Sequence, residues 1–133
     1  MPVPKRLLPV AAVATVGALG VATVALASGG AGAAGAAAKT TTLRLSADAQ
    51  GKLKYNKTRL TARPGKVTLI MANPSSLPHA VSVEGKRLDK AGKIVTKNGT
   101  SRVTATLKKG TYTFYCPVDG HRKAGMQGKL VVR

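Results

Sequence analysis

The chain of 133 residues carries 22 Lys plus Arg against 4 Asp plus Glu, a formal net charge of +18, with 1 Cys, 2 His, 3 Tyr and 1 Phe. That length suits one compact domain, and the charge favours an acidic partner or an anionic surface while saying little about fold. One Cys excludes an intramolecular disulfide framework, no CxxC motif is present, and so few His and carboxylates leave little for acid–base or triad catalysis, so the chain reads as a non-enzyme.

The first segment reads as targeting. Lys5 and Arg6 precede the uncharged apolar stretch Leu7 to Ala27, and Ala25-Leu26-Ala27 has the small-x-small pattern of a signal-peptidase site. The stretch exceeds the roughly 7–15 residues of a cleaved signal and reaches the about 20 needed to span a bilayer. A signal peptide and a retained membrane anchor over residues 1–27 therefore both stand, and both imply export. No Cys directly follows, which excludes a lipoprotein anchor. Residues 28–39 read as a Gly/Ala-rich linker, leaving residues 40–133 as the folded domain. Without Lys5 and Arg6, 20 basic face 4 acidic side chains, a net +16.

The domain reads as short strands. The expected set is Thr42–Ser46, Leu53–Ala62, Val67–Asn73, His79–Glu84, Ser101–Leu107, Thr111–Cys116 and Lys129–Val132. Arg63-Pro64-Gly65, Asn73-Pro74-Ser75-Ser76, Lys97-Asn98-Gly99 and Lys108-Lys109-Gly110 supply turn chemistry between them. No amphipathic helix and no internal repeat is evident, so an all-β antiparallel sandwich or barrel is predicted. Period-two alternation places Tyr112, Phe114 and Cys116 on one face, and His79, Val81 and Val83 on another.

Chemistry concentrates near the end of the chain. Cys116-Pro-Val-Asp-Gly-His121-Arg-Lys-Ala-Gly-Met126 has the spacing C-x4-H-x4-M, in a loop between the Cys strand and the last strand. His79, from a distant strand, adds a second imidazole. Two His, one Cys and a weak axial Met are the donor set of a mononuclear blue-copper site, in which sulfur suits Cu(I) and imidazole suits Cu(II). Singly, each residue has a plainer role: a buried Cys, a loop His, a Met filling the core. Met71, in a strand away from the loop, keeps that plainer role. The coincidence of all four favours copper, and ligation also explains how an unpaired Cys survives in an exported chain.

The run from Tyr115 to Val132 resembles the ligand loop of cupredoxins, the plastocyanin/azurin family. Its x4/x4 spacing is most similar to the auracyanin and rusticyanin branch. Ala62-Arg-Pro-Gly-Lys-Val-Thr-Leu-Ile-Met-Ala-Asn-Pro-Ser-Ser-Leu-Pro-His79-Ala-Val is similar to the family's first-ligand region. The resemblance spans roughly Leu53 to Arg133. It implies a Greek-key β-sandwich and carries over His79, Cys116, His121 and Met126 as metal ligands. One departure is Ala80, where many members place an Asn whose side chain ties the ligand loops together.

The family's second His has a ring edge near the surface, which implies docking of a redox partner there. Leu77, Pro78, Pro117, Ala124 and Gly125 would frame His121, with Arg122 and Lys123 at the rim to steer an acidic partner. Nucleic acid is not an expected partner: the charges are scattered and three of the four aromatics lie in one strand. Attraction to an anionic membrane or cell-wall surface is expected instead. The leading expectation is an exported, monomeric carrier of single electrons, and the alternative is a copper carrier or chaperone without a redox role.

Overall fold

In the computed structural model of the chain, residues 39–133 are described; the expected signal or anchor segment, and the linker up to residue 38, lie outside them. The strands are β1 Thr41–Ser46, β2 Arg59–Ala62, β3 Gly65–Asn73, β4 Ser82–Gly85, β5 Leu88–Ala91, β6 Gly99–Leu107, β7 Gly110–Tyr115 and β8 Gln127–Val132. They form a three-stranded sheet in the order β1-β3-β6 and a five-stranded sheet in the order β2-β8-β7-β4-β5. Among the described residues there is no helix.

Alternation builds the inner faces. In β6, Ser101, Val103, Ala105 and Leu107 are buried while Thr100, Arg102, Thr104 and Thr106 are exposed. β7 directs Tyr112 and Phe114 inward. Phe114 is fully buried and lies 5.6 Å, centroid to centroid, from the ring of Tyr55. Gly128 sits opposite Phe114 in register, and a Cβ there would overlap the Phe114 ring. The central strand β3 is buried on both faces: Val67, Leu69 and Met71 belong to the core, and Ile70 lies in register between Arg44 and Arg102.

The sandwich is all-β as expected, but its sheets are mixed rather than antiparallel. β1 pairs with β3, and β2 with β8, in parallel. The reason is topological. After β1 the chain crosses to the opposite sheet for β2, then returns, so β3 runs alongside β1 in the same direction.

Two strand boundaries also differ from the expectation. Leu53–Ala62 contributes only Arg59–Ala62 as strand. The residues before it close the connection from β1: the Asn56 N–H donates to Ser46 O at 2.9 Å, the Ser46 N–H donates to Asn56 Oδ1 at 2.8 Å, and buried Tyr55 donates its hydroxyl to Ala80 O at 2.6 Å. His79–Glu84 becomes regular strand only from Ser82, and Ala80 and Ser82 are buried along with the expected inward face.

β5 has no counterpart among the expected strands because its four residues, Leu-Asp-Lys-Ala, form a largely exposed edge without alternation. It is joined to β4 by a two-residue turn, Lys86-Arg87, with Gly85 paired to Leu88. Both turn residues have positive φ, 48° and 65°. Such a pair in a two-residue hairpin normally selects Asn-Gly, and each bulky side chain there costs about 1–2 kcal/mol.

The double substitution Lys86→Asn with Arg87→Gly is expected to raise stability by about 1–2 kcal/mol, a gain of roughly 4–15 °C in the unfolding midpoint. An unchanged or lower midpoint would show that the turn is unstrained. Gly128→Ala should act oppositely, losing about 1–3 kcal/mol as the methyl group displaces the Phe114 ring.

Candidate metal centre

The end of β7 delivers Cys116, which is buried at 1% exposure directly after the strand. β8 begins one residue after Met126, which is fully buried. The two strands are antiparallel neighbours, so the ladder brings both ends of the loop together. It continues past the strands: the Cys116 N–H donates to Met126 O at 3.0 Å, and the Met126 N–H donates to His121 O at 3.0 Å. Within the loop the His121 N–H donates to Val118 O at 3.1 Å, and Gly125 takes a φ of 110° that a side chain would strain. The backbone alone therefore places Cys116, His121 and Met126 together.

His79 arrives from the segment before β4. It exchanges backbone bonds with Val95, the His79 N–H donating to Val95 O at 3.0 Å and the Val95 N–H to His79 O at 2.8 Å. Asn73, the last residue of β3, holds this arrangement from below. Its buried side-chain amide donates to Leu77 O at 2.7 Å and to Val95 O at 2.8 Å, and its Oδ1 accepts from the Ser75 N–H at 3.1 Å and the Ser75 hydroxyl at 2.9 Å. Asn73 was legible from sequence only as turn chemistry in Asn-Pro-Ser-Ser. It ties the segment leading to His79 where Ala80 lacks a polar side chain.

The ligand atoms converge. His79 Nδ1 lies 4.0 Å and His121 Nδ1 3.6 Å from Cys116 Sγ, and the three ligand atoms all fall within 4.8 Å of one another. The two imidazole rings stand 5.0 Å apart at 56°. Bonds of about 2.0 Å to nitrogen and 2.3 Å to sulfur would separate donors in a trigonal plane by about 3.7 Å. The observed spacing fits a shared ion better than strong hydrogen bonds, since a thiol is a weak donor and acceptor. His79 Nε2 is buried with no hydrogen-bond partner. Burial, and secondarily the neighbouring His121, lowers the His79 pKa and keeps the ring neutral, the form that offers a lone pair to a metal. Burial, reinforced by Cys116, holds the Tyr55 phenol well above its ordinary value, so it remains a neutral donor beside the site.

His121 is half-buried, with Leu77, Pro78, Ala124 and Gly125 exposed and Pro117 half-buried at the same end. Arg122 does not stand free at the rim as expected. Its guanidinium lies 4.4 Å above the Tyr115 ring, pairs with Glu84 and donates from Nε to Gln127 Oε1 at 3.3 Å. The Tyr115 hydroxyl in turn donates to Asp89 Oδ1 at 2.8 Å. Tyr115, Arg122 and Gln127 are chain neighbours of Cys116, His121 and Met126, so one exposed cluster grips the loop from outside beside all three. Lys123 remains exposed.

A family of cupredoxin-like domains matches residues 16–132 of the chain. Among solved structures, auracyanin from the photosynthetic bacterium Roseiflexus castenholzii aligns with a TM-score of 0.63 at 24% identity, covering 70% of this chain and 97% of its own. Auracyanin A, a "blue" copper protein from the green thermophilic photosynthetic bacterium Chloroflexus aurantiacus, aligns with a TM-score of 0.61 at 26% identity, covering 71% and 100% respectively. Amicyanin from Paracoccus versutus shares the fold at a TM-score of 0.52 and 21% identity, covering 69% and 81%. Comparison with curated proteins gave no significant match.

Arg122→Ala is expected to speed amide hydrogen exchange across residues 118–126 while leaving β3 and β6 unchanged. Lys123→Ala should leave the loop at its original rate. Equal exchange in the two variants would show that the Arg122 cluster does not hold the loop.

Proposed function

The chain belongs to the cupredoxin-like domain family, and on that premise we propose that it is an exported blue-copper protein carrying single electrons between redox partners. The observation that carries this reading is the convergence of His79, Cys116 and His121 at one buried point, with Met126 closing the same loop. These four would hold the copper: two imidazole nitrogens and a thiolate as the strong donors, and the Met126 thioether as a weaker one. Copper bound there supplies a one-electron Cu(II)/Cu(I) couple.

The protein's part is to hold the donors still. Both ends of the loop are bonded to each other, and the His79 segment is fixed through Asn73 and Val95. Donors that keep their places across a change of oxidation state keep the reorganisation on electron transfer small. His79 is fully buried whereas His121 is half-exposed, so the His121 ring is the route by which a docked partner would exchange an electron. The proposed role is that of a carrier rather than an enzyme.

Export rests on the sequence of residues 1–27, as cleaved signal or retained anchor, followed by the linker at 28–39 and the domain at 40–133. Among the described residues no helix is long and apolar enough to cross a membrane. The partner is proposed to be acidic, drawn by the +16 of the exported part. With Arg122 engaged by Glu84, Lys123 is the loop cation left to meet it. The carrier is proposed to work as a monomer and without nucleic acid.

Adding Cu(II) to the purified protein is expected to give an intense blue charge-transfer band at one copper per chain. Cys116→Ser should abolish the band; Met126→Leu should retain it and raise the reduction potential. A colourless product at full loading would sink the electron-carrier reading and favour copper delivery or storage. Colour loss in Met126→Leu equal to that of Cys116→Ser would refute the axial assignment.

A further inference from the structure

Basic side chains gather at the end of the domain away from the candidate metal loop. β7 runs from Gly110 to Tyr115 toward the candidate metal loop, and its antiparallel partner β4 runs back to Gly85. Three connections gather at the far end: β2–β3, β4–β5 and β6–β7, adjoining through the Gly65–Leu107 pair and the contact of Lys86 with Lys109 O. Each is a two-residue turn between strands, and together they carry Arg63, Lys86, Arg87, Lys108 and Lys109, all exposed, with exposed Lys66 one residue beyond. No acidic side chain stands in these turns. Of the four acids, Asp48 and Asp119 lie in connections at the metal end, among the exposed Lys52, Lys54, Lys57, Lys93, Lys97 and Lys123, Glu84 is engaged by Arg122, and Asp89 accepts from Tyr115.

Two features show that this end is built. Lys86 and Arg87 occupy a turn in which both residues have positive φ, so basic side chains stand where the backbone favours Asn-Gly. Strained residues that the fold tolerates point to function. The neighbouring Lys108-Lys109 turn is braced: the Tyr112 hydroxyl donates to Lys108 O at 2.9 Å and accepts from the Lys108 N–H at 3.2 Å. Between the two turns lies a shallow recess of about 260 Å³ lined by Lys86, Arg87, Lys108, Thr106 and Tyr112.

The chain enters the domain at this same end. β1 begins at Thr41, paired with Val67 near the start of β3, and exposed Lys39 precedes it. Before that, the sequence holds the Gly/Ala-rich residues 28–39 and the uncharged apolar residues 7–27.

We propose that the three basic turns are a docking surface for the anionic headgroups of a lipid bilayer. Docked in this way, the three turns face the bilayer and the His121 end, at the opposite end of β7, faces redox partners. The inference rests on the tethered form of the proposed function, with residues 7–27 retained in the membrane, and its readout does not involve copper. Basic residues close to an anionic surface add up in attraction, and the attraction decays within a Debye length, about 8–10 Å at ordinary salt.

The test is hydrogen exchange of the full-length protein reconstituted into vesicles of phosphatidylcholine, alone or with phosphatidylglycerol. The apolar segment is common to both arms, so their difference isolates the domain. Amides of residues 84–89 and 106–111 are expected to exchange more slowly on the anionic vesicles only, with the effect lost at high salt and residues 118–126 unprotected. Lys86→Asn with Arg87→Gly should lose this protection although the fold is expected to gain stability, which separates lost binding from lost folding. Equal exchange on the two vesicles overturns the inference, as does protection that survives the double substitution. Protection by soluble polyglutamate with none from the anionic vesicles also overturns it, in favour of an acidic protein. The blue band with added Cu(II), read on the same samples, tells failure of this inference from failure of the copper assignment.

Discussion

β7 and β8 lie side by side because both bury an alternating apolar face against β3 and β6, and the ladder between them extends beyond the strands. Its last bond, from the Cys116 N–H to Met126 O, fixes the separation of the two loop ends at 3.0 Å. Everything between them must then fold within nine residues. The Met126 N–H turns to His121 O, and Arg122 lies over Tyr115 just outside the ladder. Donor placement thus follows from sheet packing. A loop with independent freedom would have to order its donors one by one against conformational entropy. Here the core has already done most of that ordering.

His79 depends on a different part of the molecule, the far end of β3. Asn73 reaches Leu77 O and Val95 O with its amide and the Ser75 side chain with its carbonyl, binding together the β3–β4 and β5–β6 connections. A fully buried side chain with four polar contacts is costly to leave unsatisfied, which makes the network a rigid unit rather than a set of optional bonds. The site therefore stands between two stiff supports, one for His79 and one for the loop. Neither support uses a proposed ligand side chain, so the cavity can keep its shape independently of what it binds.

The ion pair of Arg122 and Glu84 matters less for stability than for position. Both side chains are substantially exposed, and such pairs are worth about 0–1 kcal/mol. Stacking on Tyr115 and the bond to Gln127 give the same guanidinium three directions of restraint at once. The arrangement also removes a cation from the surface near His121. Exposed lysines remain in the connections at that end, and the turns at the other end carry Arg63, Lys86, Arg87, Lys108 and Lys109 with no acid among them.

Alternation and turn residues were enough to read β1, β3, β6, β7 and β8 to within two residues, because one face of each strand is dictated by burial. β5 escaped, since four residues at an exposed edge obey no such pattern, and the parallel pairs escaped because pairing is decided by where the chain crosses between sheets. Residue type and spacing likewise single out His79, Cys116, His121 and Met126 as a candidate donor set, and the structure brings His79, Cys116 and His121 to one point. The sequence by itself determined the chemistry available and the strands that would carry it, because both are properties of residue type and local period. Only the tertiary structure decided which ring nitrogens meet the sulfur, that Asn73 braces His79, that Arg122 is withdrawn from the rim, and that three basic turns gather opposite the site. Each of these is a contact between segments distant in the chain, and only the packing of two sheets brings such segments within reach.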